Sequence, residues 1–61
     1  MTFVIRRGPA ARPADEFLFE PAHMTFEWSP WRGQARRFAS KGEAERFGQN
    51  MLAGPFHVEV E

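Results

Sequence analysis

Ser40-Lys41-Gly42-Glu43-Ala44-Glu45-Arg46-Phe47-Gly48-Gln49-Asn50-Met51-Leu52-Ala53-Gly54-Pro55 decides the fold. Ser40 and Glu43 stand three apart, the S-x-x-E spacing of a capping box. The Ser40 hydroxyl accepts from the Glu43 amide, and the Glu43 carboxylate reaches back to the Ser40 amide. Ala44, Phe47, Gly48, Met51 and Leu52 then recur at helical spacing and form one apolar stripe, with Lys41, Glu45, Arg46, Gln49 and Asn50 on the wet side. Gly54 suits a left-handed stop and Pro55 forbids continuation. The reading is one amphipathic helix of about 13 residues. Gly48 lies on the stripe, where the missing side chain permits close approach to whatever the helix covers.

What it covers is read outward from there. Phe56-His57-Val58-Glu59-Val60-Glu61 alternates, with Phe56, Val58 and Val60 facing in. Upstream, Met24-Thr25-Phe26-Glu27-Trp28 alternates in the same way, with Met24, Phe26 and Trp28 inward. Ser29-Pro30-Trp31-Arg32-Gly33 ends that strand. Glu16 to Glu20 reads as a strand with Phe17 and Phe19 on the side turned to the helix and Leu18, like Val4, on the other, mostly polar side. Thr2 to Arg6 reads as a strand with Phe3 and Ile5 sharing a face. Arg7 to Asp15, carrying Pro9 and Pro13, is a loop without bulk to pin it, and mobility is expected. Gln34 to Phe38 is open between a bend or single helical turn and a short extended piece. The expectation is a single α+β domain over residues 1–61. Three to four antiparallel strands carry one helix on one face, in the order β-β-β-α-β.

Composition narrows the functional classes. The 61 residues hold seven Phe and two Trp but no cysteine, so aromatic bulk has to replace disulfides as the staple of so small a core. Eight basic residues balance eight acidic ones. No apolar run reaches the roughly 20 residues of a membrane helix, and the first seven residues invert the basic-then-apolar order of a secretion signal. The expected setting is cytoplasmic, with no membrane partner.

Reactive chemistry is not expected. His23 and His57 lie far apart in sequence with no cysteine beside them, so no metal site is anticipated. Ser40 is absorbed by capping, Ser29 adjoins Pro30, and neither has a base nearby in sequence. No glycine-rich phosphate loop occurs, and a domain of this size has little volume for a cleft. No catalytic residue, metal ligand or cofactor is assigned, and the chain is expected not to be an enzyme.

The remaining signal is arginine beside tryptophan. Six arginines precede Phe38: Arg6, Arg7, Arg12, Arg32, Arg36 and Arg37. They form either a solvated charged surface or a patch for phosphate or carboxylate, since guanidinium pairs with both and stacks on aromatic rings. Trp28 is in phase with the core. Trp31 is out of phase and serves either as a core cap or as an exposed anchor, the pairing with Arg being common at binding hot spots. The residues expected to contact a partner are Arg7, Arg12, Trp31, Arg32, Arg36 and Arg37. Unpaired sheet edges offer a further route to a partner strand or to a second copy.

Trp31-x3-Ala35-x2-Phe38-x4-Glu43-Ala44, followed by Gly54 and an alternating terminal strand, resembles a pattern found in short phage, prophage and plasmid proteins. The size class is similar to that of phage-encoded inhibitors of host defence, including anti-CRISPR proteins. That resemblance implies action by covering a partner's surface rather than by chemistry, and it transfers no functional residue. The function expected is binding of a protein or nucleoprotein complex. The alternatives are a nucleic-acid-binding module, using Arg6, Arg7, Arg32, Arg36 and Arg37 with Trp31 as a stacking platform, and a self-associating module such as a homodimer.

Overall fold

The computed structural model describes residues 1–61. The chain order is β1 (Phe3–Arg7), β2 (Phe17–Ala22), β3 (Thr25–Ser29), a 3-10 turn (Arg32–Gln34), α1 (Lys41–Met51) and β4 (Phe56–Val60). The strands form one antiparallel sheet in the spatial order β3-β2-β1-β4. The expected α+β architecture and element order are thus observed.

Capping explains where α1 begins. Ser40 is extended and its Oγ accepts the Glu43 N–H at 3.1 Å. The Glu43 carboxylate accepts from the Ala39 amide rather than from Ser40. The other end differs from expectation. Leu52 closes the helix in an extended conformation, φ −111° and ψ 137°, and Gly54 does not adopt a positive φ. Once Leu52 swings out of the helical path to pack on the core, no left-handed residue is needed.

The helix sets Ala44 against Ile5 and Leu18 of the sheet and the inserted Phe38, with Phe3, Phe26, Trp28, Phe47, Leu52, Phe56 and Val58 packed around them. Gly48 is buried beneath Phe56. A β-carbon built there would lie 2.4 Å from the Phe56 ring, so glycine is what lets the helix approach β4. Phe47 packs edge-on to Phe26, with centroids 4.9 Å apart.

Two strand readings are corrected. Leu18, not Phe17, faces the helix. The register pairs Phe17 with Arg6 and Ser29, and Leu18 with Trp28, so Phe17 joins Val4 and Ala35 in a second cluster on the opposite face. Alternation fixed which residues of β2 share a face, but Glu16 and Glu20 are in phase with Leu18 and pointed to the wrong face as the wet one. Met24 does not face in. It occupies the β2–β3 turn with φ +61° and is 64% exposed, its N–H held by Glu20 Oε2 at 2.9 Å.

The sheet is split. β1 and β2 are in register at Arg6 and Phe17 and then part. The segment Arg36–Phe38 enters the gap in an extended form. The Arg36 N–H donates to the Leu18 carbonyl at 2.9 Å, and Phe38 exchanges two backbone bonds with Phe3 at 3.0 and 2.8 Å. Chain from the 3-10 turn passes here from one face of the sheet to the other. Ala35 belongs to the cluster behind the sheet and Phe38 to the cluster beneath the helix. Of the two readings left open for Gln34 to Phe38, the extended one holds at Arg36–Phe38.

Candidate functional site

The face away from the helix is closed by charge. Its apolar centre is small: Val4, Phe17 and Ala35. Over Phe17 lie two guanidiniums, Arg32 at 4.8 Å and Arg6 at 5.5 Å from the ring centroid. Glu59 of β4 joins them, accepting from Arg32 at 2.5 Å and from Arg6 at 3.2 Å. Arg6 also donates to Asp15 at 2.7 Å and to the Ala14 carbonyl at 2.9 Å. Beside this network Arg37 grips Glu61 with Nε and Nη2, both at 2.5 Å, and donates to the Ala35 carbonyl at 3.0 Å. This face therefore sets three guanidiniums against three carboxylates.

The ionisation follows from that geometry. Partial burial is the largest influence on Glu59 and pushes its carboxyl up. The hydrogen bonds and charges of Arg32 and Arg6 outweigh it and hold the group below the ordinary range. Arg37 lowers Glu61 chiefly through its hydrogen bonds, against a smaller desolvation, and the Thr2 hydroxyl adds to the lowering. Reciprocally, Glu59 raises Arg6 and Glu61 raises Arg37.

Trp31 stands at the start of the 3-10 turn and is 67% exposed. The turn beneath it is braced by Ser29. The buried Ser29 hydroxyl accepts the Trp31 N–H at 3.1 Å and donates to Gln34 Oε1 at 2.9 Å. Ser29 is thus committed to local structure, as Ser40 is. Of the two readings of Trp31, the structure has the exposed one.

The six expected contact residues do not form one patch. Trp31, Arg32 and Arg37 belong to the 3-10 turn and the face it covers. Arg36 points the other way, against the rings of Phe47 at 4.9 Å, Phe38 at 5.0 Å and Phe26 at 5.9 Å. Extended backbone explains the division, because Arg36 and Arg37 are neighbours and project from opposite faces. Arg7 is at the end of β1, paired with Glu16 at 3.0 Å and 5.9 Å from the Trp28 ring. Arg12 is exposed in the loop with no carboxylate within 4.0 Å; Lys41 and Arg46 share that condition. The loop itself is tied down by backbone bonds from Gly8 to Pro55 (3.0 Å) and from Ala14 to Arg7 (2.8 Å), which composition did not reveal.

Sequence reasoning missed Glu59 and Phe17 as the hub. The signal was present in part. Glu59 alternates outward on the last strand, as Arg6 does on the first, and only the pairing of those strands brings the two together.

Three shallow hollows of about 400–430 Å³ open on the surface. The most apolar lies between β3 and the C-terminal half of α1, with Phe26 and Phe47 as its floor and Met24, Met51 and Arg36 at its rim. No three His, Asp or Glu side chains gather as a metal site requires. No protein-family model, curated relative or solved structure matches the chain.

Proposed function

We propose that this chain is a non-enzymatic binding protein that occupies the surface of a larger protein or nucleoprotein partner, with Trp31 as the anchor. The observation that carries this is the exposure of Trp31 on a braced turn, beside arginines already held by carboxylates. A large aromatic side chain left in water by a domain short of apolar core is available for burial elsewhere, and ordering it in advance lowers the entropic cost of binding. Arg32 and Arg37 frame the anchor with fixed donors and fixed acceptors, a polar rim suited to a protein surface. The resemblance to short phage proteins adds a role, in which covering such a surface inhibits the partner.

The arrangement of charge favours a protein over naked nucleic acid. Phosphate binding draws on uncompensated guanidinium, whereas Arg6, Arg7, Arg32 and Arg37 each hold a carboxylate within 3.2 Å. The test compares the wild-type protein with Trp31→Ala as baits in host extract. The expected result is a partner retained by wild type, lost with Trp31→Ala, and little affected between about 50 and 200 mM salt. Retention of the same partner by both baits overturns the anchor. Retardation of oligonucleotides with a steep salt dependence transfers the assignment to the nucleic-acid module.

A further inference from the structure

The two edges of the sheet are not equivalent. β3 is one member of a hairpin whose register shifts between Phe19 and Ala22, where β2 also carries Pro21. Such irregularity twists an edge away from pairing. β4 pairs regularly with β1 along its whole length, from Phe3↔Val60 to Arg7↔Phe56, and contains no proline and no lysine.

The direction of the free backbone groups on β4 follows from its bonds. Glu61 N–H donates to Thr2 and Pro55 C=O accepts from Gly8, so positions 55, 57, 59 and 61 turn their polar groups toward β1. The N–H and C=O of Phe56, Val58 and Val60 therefore point outward along the open edge. A hollow of about 430 Å³ runs beside this edge, between Phe56–Val58 and the helix row Lys41, Glu45 and Gln49.

We infer that β4 pairs antiparallel with β4 of a second copy, about a two-fold axis at Val58, to make a continuous eight-stranded sheet. The residues match under that one operation. Val58 meets Val58 of the second copy. Phe56 meets Val60, so the 51% exposed Val60 gains an apolar neighbour on the helix face. On the other face His57 meets Glu59, a polar and complementary pair. All six outward N–H groups find outward carbonyls: Val58 with Val58, and Phe56 with Val60 in both directions. Pro55 costs nothing at this seam, because its position faces β1. Sliding the pairing by one residue would set outward groups against inward ones and Phe56 against Glu59. A second copy fits this edge better than an unspecified strand because the Phe-His-Val-Glu-Val order is complementary to itself when reversed. The pairing is independent of the Trp31 reading.

The test is sedimentation velocity and amide exchange on the full chain from micromolar to about 1 mM, the range in which weak self-association is measured. The expected result is a monomer–dimer equilibrium in which the amides of Phe56, Val58 and Val60 gain protection as concentration rises. Val60→Lys, which sets an ammonium against Phe56 of the second copy, should raise the dimer Kd at least about tenfold without lowering the melting temperature of dilute protein. A monomer at every concentration overturns the proposal. So does a dimer that protects Thr25–Ser29 instead, an unchanged Kd for Val60→Lys, or a monomer that takes only an unrelated extended peptide on β4.

Discussion

One sheet has two faces, and they are sealed in different ways. Beneath α1, Ile5, Leu18, Phe38 and Ala44 are at most 2% exposed and lie in a layer of aromatic rings. On the opposite face three apolar residues are roofed by guanidiniums that rest on Phe17 and bridge to Glu59 and Asp15. The comparison teaches how a chain with one helix closes a sheet that has two sides. The helix spends nearly all of its apolar stripe on one face. The other is covered by arginine, whose flat, weakly hydrated head can lie on a ring while its donors remain paired. A face sealed in that way stays charged and open to solvent, whereas the one beneath the helix is apolar and closed.

The difference can be broken at its strongest point first. Phe38→Ala should cost about 3–5 kcal/mol and unfold much of the population, because it empties the helix-side core where the inserted segment crosses the sheet. Denaturant melts would show it, and a near-wild-type midpoint would mean that the crossing segment does not hold the faces together. Gly48→Ala should cost about 1–3 kcal/mol through collision with Phe56. Adding Phe56→Leu should recover part of that loss, and strictly additive costs would place the strain elsewhere.

The charged face should respond to acid where the apolar face does not. Glu59 and Glu61 titrate lower in the folded protein than the ordinary 4.5. The unfolded chain therefore takes up these protons at a higher pH than the folded one. Their contribution is complete above about pH 4.5 and disappears as pH falls through the lowered folded values. Thermal melts taken from neutral pH down to about pH 3 should follow that loss, and Glu59→Gln should flatten it while lowering stability at neutral pH. The smallest effect belongs to Trp31→Ala, within about 0.5 kcal/mol of wild type, since the side chain is mostly in water. A larger cost would recast Trp31 as a cap of the Phe17 cluster.

Much of this architecture was legible before any fold was in hand. The helix announced itself through Ser40, Glu43 and the spacing from Ala44 to Leu52, all short-range signals that the backbone reads locally. β1, β3 from Thr25 onward, and β4 were visible as alternation. Close approach at Gly48 was anticipated from its place on the stripe. Leu18 and Phe17 were exchanged because Glu16 and Glu20 are in phase with Leu18 and marked its side of the strand as the wet one. Met24 was misplaced because a turn of two residues took over the first position of an otherwise regular pattern.

The site was less legible than the fold. Arginine and tryptophan were singled out, but not the carboxylates that hold the arginines. Arg6 and Glu59 are 53 positions apart and meet only because β1 lies between β2 and β4. Sequence alone determined which segments are helix and strand, and which side chains of a strand travel together, since those follow from bond geometry over a few residues. Tertiary structure alone decided that neighbouring Arg36 and Arg37 serve opposite faces and that the sheet opens to admit them. It also decided that the arginines spend their charge within the molecule, because pairing across a sheet depends on which distant strands become neighbours.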